Sequence, residues 1–424
     1  VERYVSGISG MVGKSIMAQD FAGFLAQIDR KMSPSSYSYA ASTMKDLLRN
    51  SESGDRIEQK LKRLNFFIFL AGRISTGLVN LTAIPTNGIP RMMLKGGGET
   101  GLVDGLSFTE CLGYLKDASS LAFKFNKAIK DAHKEMVFDV EKIIEIYELE
   151  DYKDIFTQFY QNFVRGDLAP SVASGLIGSE PKLGDSMMQK VTNCSSFFLR
   201  KSEEFMRHAV YLASIQAGIK RGHKDIGELA KQASLMQMEA FGDMSKFNIP
   251  LAFRGGSGLA GLSRATVYAY QNWAIHNFSN FLRFLKASVS EGQFKPLVGQ
   301  ISAYLFLGGF GAFPGILAAL FAVMRAVGYD PEKEWINDGK ASTMLRLFQG
   351  GVPHALGVTD ISRRVGFAPY ESVIPQDRSF LQSAGRLATG PVGGIGENFF
   401  KAGQALSKGQ YGKAVQTVAP LIVK

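Results

Sequence analysis

Lys295 to Arg325 reads KPLVGQISAYLFLGGFGAFPGILAALFAVMR, with no charge between its ends and a centre broken by Gly308, Gly309, Gly311, Pro314 and Gly315. An unbroken apolar run of about 20 residues is long enough to cross a bilayer as one helix. The break leaves two shorter arms, Leu297 to Leu307 and Ile316 to Val327. Arms of that length joined by a Gly/Pro hinge predict a helical hairpin, either buried in a helical core or oligomer interface or entering a membrane at some stage of function.

Helical periodicity continues on both sides of this run, and strict two-residue alternation is never sustained. The expected fold is all-α: an extended multi-helix assembly with an apolar, Gly/Pro-hinged hairpin and a Gly/Pro-punctuated tail. Upstream, a helix is predicted from Leu262 to about Ser290, carrying Tyr268, Tyr270, Trp273, Phe278, Phe281 and Phe284. Aromatic residues at that density pack a core or a subunit interface. Asp185 to Phe241 predicts two helices joined at Lys220-Arg221-Gly222-His223, with Gly222 ending the first.

Ser107 to Glu150 predicts one long helical stretch, opened by Ser107 and Glu110 at capping-box spacing. Ile57 to about Ala83 predicts another, stopping at Ile84-Pro85-Thr86-Asn87-Gly88-Ile89-Pro90. Downstream, an amphipathic helix is expected near Pro331 to Gln349, followed by punctuation from Gly350-Gly351-Val352-Pro353 onward. The expected division is residues 1–56, an amino-terminal helical arm; 57–184, a helical domain; 185–330, an aromatic core with the hairpin; and 331–424, a basic tail.

A chain of 424 residues with 46% apolar content has ample material for a core. Its net charge of +10 favours an acidic partner such as nucleic acid or anionic lipid. Lys124, Lys127, Lys130 and Lys134 recur every three or four residues, on one helix face. That stripe is either a solvated surface or a phosphate-contacting one. Arg363 and Arg364 are a second basic candidate.

Glu203, Glu204 and Arg207 lie within one turn, and Glu203 with Arg207 is expected to form a structural ion pair, intrahelical at the surface or buried to fix register. Cys111 and Cys194 sit in no metal or redox spacing, and the histidines form no ligand pair. Gly256 to Gly261 matches a dinucleotide-loop pattern with no strand before it, and Gly13-Lys14-Ser15 lacks the upstream glycine of a phosphate loop. No catalytic residue, cofactor or metal is expected in this chain. Val1 to Ser6 does not resemble a natural start, and the expectation is a piece of a longer polypeptide.

Several blocks, taken in order, carry a family likeness. They are Leu78-Val79-Asn80-Leu81-Thr82 with Ile89-Pro90; Glu203 or Glu204 with Arg207, then Ala230 and Ala233; and Pro250-Leu251-Ala252-Phe253-Arg254-Gly255. Gly350 to Gly357, Asp360 to Gly366, Gly390 to Gly394 and Gly409 to Pro420 follow. So ordered, the chain resembles the carboxyl-terminal region of the large polyvalent internal virion proteins of tailed bacteriophages. One group of these is named for a Pro-Leu-x-Arg-Phe-Gly signature, here with Phe253 and Arg254 exchanged.

The resemblance implies a protein packaged inside the capsid near the portal, ejected ahead of or with the genome, that helps build a conduit across the host envelope. With no catalytic site in view, the expectation is a non-enzymatic chain. Expected partners are a homo-oligomeric ring, from the aromatic helices; non-specific DNA, from the basic balance; and the portal or other internal virion proteins and the host membrane after ejection. Two alternatives stay open: a membrane-active, pore-forming protein, and the docking end of a larger virion enzyme whose catalytic domains lie upstream.

Overall fold

The computed structural model describes residues 37, 74–96, 101–165, 168, 197–242, 276–313, 341–357 and 410. Helix makes up 83% of the described part, which has no strand, so the chain is all-α. Helices are numbered here in chain order: α1, Ile74–Leu81; α2, Ile89–Met93; α3, Phe108–Lys134; α4, Val140–Ile146; α5, Lys153–Arg165; α6, Phe197–Lys220; α7, Ile226–Phe241. They continue with α8, residues 276–291; α9, Phe294–Gly308; and α10, Ala341–Ala355.

The body is built around α6, which packs against α1, α3 and α7. Ala209, Val210, Tyr211, Leu212, Ala213 and Ile215 are all buried, so α6 is covered on every side, as expected of a central helix. The facing helix α3 presents Cys111, Leu115, Ala118, Ala122, Phe125, Ile129 and Ala132, alternately four and three residues apart, as one buried stripe. Phe125 meets Phe156 edge-on at 4.9 Å and Phe159 at 5.3 Å, tying α5 to α3. Each such ring contributes about 1.5–3 kcal/mol by burial.

Local signals set most helix ends. Ser107 and Glu110 form the capping box, with the Glu110 N–H donating to Ser107 Oγ and the Ser107 N–H donating to Glu110 Oε2 at 2.8 Å. Asp225 caps α7 by accepting from the Glu228 N–H at 3.0 Å. Gly222, at φ +90°, ends the helical run after Lys220, and His223 donates back to the Gly218 carbonyl.

Three expectations are corrected. The stretch from Ser107 to Glu150 is two helices: Met136 turns at φ +57°, Val137 donates back to the Ala132 carbonyl, and Asp139 caps α4. The helix expected to stop at Ile84 instead widens into a π turn over Ile84–Gly88 and continues as α2. Prolines explain the widening: Pro85 and Pro90 supply no N–H, and the Pro90 ring crowds the carbonyl four residues back, so Ile89 bonds five residues back to Ile84. Finally, α10 does not end at Gln349 but runs to Ala355 across a kink at Gly351.

Candidate functional site

Helices α8 and α9, with α10 packed on α9, form a lobe in which several polar side chains are buried and several large apolar ones are exposed. On α8, Asn277, Asn280 and Ser288 are buried, while Phe278, Leu282, Leu285 and Val289 face outward at four- and three-residue spacing. On α9, Gln300 and Tyr304 are fully buried, while Phe294, Val298 and Phe306 are exposed, Phe306 by 61%. Polar groups inside and large apolar groups outside suit a surface meant for an apolar environment, such as an oligomer interface or lipid. At 15 residues α9 is about 22 Å long, short of the roughly 30 Å hydrocarbon core. No helix among the described residues is long and apolar enough to cross a membrane.

The lobe meets the body along a polar seam. Asn87, in the π turn, donates to Asn277 Oδ1 at 2.6 Å and accepts from Gln300 Nε2 at 3.1 Å. Gln293, between α8 and α9, exchanges two hydrogen bonds with the Lys95 backbone, accepting its N–H at 2.7 Å and donating to its carbonyl at 3.0 Å. Arg283 of α8 and Arg91 of α2 both clasp Glu239 of α7, each at 2.7 Å. His276 and Asn280 donate to the Ala240 carbonyl, one of the acceptors left open at the end of α7.

Electrostatics follow from this burial. His276 is pushed down to about 4, first by burial and further by the Arg207 and Arg283 charges, although the bond to Ala240 opposes this. The ring is therefore neutral near pH 7 and its Nε2 carries the proton. Burial pushes the Glu239 carboxyl up, but Arg91 and Arg283 outweigh it and leave the group below its usual range. Burial raises the Tyr304 phenol, which stays protonated beside Gln300.

Among the described residues, two small apolar clusters cross the seam. Leu94 sits with Phe284, Ala287 and Leu297, and Val79 with Tyr304, Leu307 and Phe313. None of the lobe's described residues joins the large body cluster, which runs from Ala83 to Phe241. A buried leucine contributes about 1.5–3 kcal/mol, and a hydrogen bond about 0.5–1.5 kcal/mol net because water replaces it when broken. Among the described residues, the seam therefore joins polar contacts that fix orientation to two small apolar clusters.

The predicted hinge glycines lie at the far end of α9. Gly308 closes the helix, Gly309 and Gly311 belong to a 3-10 turn over Gly309–Ala312, and Pro314 and Gly315 lie outside the described residues. Gly309, at φ +56°, crosses the kink of α10 so closely that a Cβ would stand 2.5 Å from the Phe348 carbonyl oxygen. Reciprocally, a Cβ on Gly351 would stand 2.6 Å from the Phe306 carbonyl oxygen. Phe310 packs on Phe348 at 4.6 Å beside the crossing. These glycines interlock two backbones.

The basic stripe is spread along α3. Lys124 donates to the Glu148 carbonyl at 3.1 Å and lies over the Tyr152 ring, and Lys134 pairs with Asp131 at 3.2 Å. Lys127 and Lys130 are exposed. Lys124, Lys127 and Lys134 line a groove of about 480 Å³ together with Asp131, Glu135 and Tyr147, so its charge is mixed. Arg363 and Arg364 lie outside the described residues.

Arg207 and Glu203 pair at 3.2 Å in the interior, and Arg207 also donates to Gln237 Oε1 at 2.9 Å and to the Gly242 carbonyl at 2.7 Å. The pair thus clamps α6 to the end of α7 at the edge of the seam. No cluster of potential metal ligands occurs among the described residues.

Sequence reasoning overlooked Asn87, Asn277 and Gln300. One signal was available: Gln300 is the single carboxamide in the arm Leu297 to Leu307. A polar side chain central to an apolar helix points to a buried partner. The chain matches no protein family, no curated protein and no solved structure.

Proposed function

We propose that this chain is part of an internal virion protein of a tailed bacteriophage. In this reading it is packaged near the portal, ejected into the host, and helps form a conduit for the genome across the cell envelope. The observation that carries the reading is the set of exposed apolar side chains on α8 and α9, Leu282, Val289, Val298 and Phe306, opposite the buried Asn277, Gln300 and Tyr304. A protein that packs in one environment and works in another needs such a face, to be covered by a second copy or by lipid.

An all-α fold supports the same reading, because local helical contacts reform faster after passage through a narrow tail than distant strand pairings do. The net charge of +10 suits contact with packaged DNA through many weak phosphate contacts that read no sequence. The proposed partners are a homo-oligomeric ring, portal or other internal virion proteins, DNA, and the host membrane after ejection.

The test is mass spectrometry of purified virions before and after DNA release. Peptides of this chain in full particles and their loss from emptied ones are the expected result. Their absence from full particles overturns the reading and leaves a membrane-active protein that works without a virion.

A further inference from the structure

We propose that the outward ridge of α3 binds a single strand of nucleic acid, with a base stacked on Phe123 and phosphates held by Lys116, Lys127 and Lys130. The inference rests on the DNA contact of the virion reading, but it is tested on the purified chain, so either can fail alone.

Lys116, Phe123, Lys127 and Lys130 are spaced seven, four and three residues apart, so they form one line along the helix. All four are exposed, Phe123 by 67%. At 1.5 Å of rise per residue the line is about 21 Å long. Phe205 of α6 backs the Phe123 ring at 5.1 Å, which fixes the ring's orientation and leaves its outer side open. An aromatic ring held open among cations suits an unstacked base: stacking supplies affinity for any sequence, and the cations neutralise the backbone.

The ridge lysines are available for that role. Lys124 and Lys134 are engaged with the Glu148 carbonyl and Asp131. Lys116, Lys127 and Lys130 make no hydrogen bond or ion pair among the described residues.

Acids beside the ridge argue against a duplex as the favoured partner. In one flanking groove Asp117, Glu150, Asp151 and Asp154 outnumber Lys153 and Lys220. Asp131 and Glu135 stand in the other. Phosphates of a second strand beside the ridge would meet like charge there. In a duplex the bases are also stacked on one another, so the Phe123 ring gains no base.

Fluorescence anisotropy with the full chain tests this, using an oligothymidylate of about 20 nucleotides and a duplex of the same length. Phe123→Leu keeps an apolar side chain against Phe205 and removes the ring. It is expected to weaken single-strand binding by about five- to a hundredfold, the loss of one stacked base, and to change duplex binding by less than about twofold. Lys116→Gln with Lys130→Gln should make the single-strand slope of log K against log salt less negative by about 0.7 for each lysine, whereas Phe123→Leu should leave it in place.

Phe123→Trp, a larger ring at the same exposed position, covers the case of a leucine variant that fails to fold, and single-strand binding as tight as or tighter than that of the unsubstituted chain is expected. Weaker single-strand binding by Phe123→Trp overturns the inference. So does unchanged single-strand affinity in Phe123→Leu, an equal loss for the duplex, or an unchanged salt slope in the lysine variant. Binding of neither polymer by the unsubstituted chain also overturns it, and leaves the ridge to a protein partner.

Discussion

The body and the lobe are both helical, yet their interiors differ in balance. In the body a large apolar cluster with Phe125, Phe156, Phe159 and Tyr211 surrounds buried polar groups such as Glu203 and Arg207. In the lobe Asn277, Asn280, Gln300 and Tyr304 share the interior with Phe284 and Ala287, and Leu282, Val289, Val298 and Phe306 face outward. Secondary structure is therefore a poor guide to what each region does. A helix is specified by local bonds and propensity, whereas the direction its apolar face points declares the environment it is built for.

The largest expected effect lies in the body. Arg207→Ala removes the cation paired with the buried Glu203 and the donor to Gln237 Oε1 and the Gly242 carbonyl. A loss of about 3–5 kcal/mol is expected, read as a fall in the urea midpoint with an unchanged slope. Arg207→Met with Glu203→Leu should cost much less, because it removes both charges. A small effect of Arg207→Ala alone would show that the pair is open to water.

A matched pair of truncations contrasts the regions more directly. Phe125 and Phe284 are both fully buried, but only Phe125 belongs to the body cluster. Phe125→Ala should cost about 3–5 kcal/mol of global stability. Phe284→Ala should mainly speed hydrogen exchange in α8 and α9 and leave the urea midpoint of the body nearly in place. Equal shifts in the global midpoint would mean that lobe and body unfold as one unit.

Acid acts on both regions through neutral histidines, His208 fully buried and His276 partly buried. Burial pushes His208 down to about 3 against an opposing hydrogen bond to the Leu168 backbone, with smaller help from the Lys201 and Arg207 charges; His276 stands at about 4. The unfolded chain takes up these protons near pH 6.5. The stabilisation is therefore fully present above about pH 6.5 and is lost as pH falls through the folded values. The loss is on the order of 3 kcal/mol for each ring. Urea midpoints measured stepwise from pH 7 to pH 4 should fall throughout, and His276→Gln should flatten the lobe's share. A flat profile would contradict the burial of these rings.

Gly309→Ala should cost about 1–3 kcal/mol, from a strained φ and a clash with the Phe348 carbonyl. It should loosen α10 in hydrogen exchange and spare α6. Gly311→Ala is its control, and an equally large effect there would shift the constraint from the crossing to the turn.

What was legible in the sequence divides along the same line. Helix type, the Ser107 cap and the end at Gly222 depend on residues within one turn of each other. The π turn was misread because Pro85 and Pro90 signal a stop locally, whereas Gly88 wedged on Phe241 and Val210 supports continuation. The break at Met136 carries neither Gly nor Pro to announce it. The hinge glycines were visible as positions, but their interlock with Gly351 was not. The seam was least legible, since Asn87 and Gln300 lie 213 residues apart and meet only in the fold.

The smallest effect on stability, and the one that separates a solvated stripe from a phosphate-binding one, concerns Lys127 and Lys130. Lys124 and Lys134 are engaged with Glu148 and Asp131, and Asp131 and Glu135 share their groove. Lys127 and Lys130 are exposed on the same helix, so Lys127→Gln with Lys130→Gln should change folding stability by less than about 0.5 kcal/mol. If the two side chains neutralise phosphates, the slope of log K against log salt for duplex DNA should become less negative by about 0.9 for each lysine replaced. An unchanged slope with unchanged affinity would assign the stripe to solvation and leave DNA binding to charge elsewhere on the chain. Because stability barely moves, any change in slope reports the interface and not the fold.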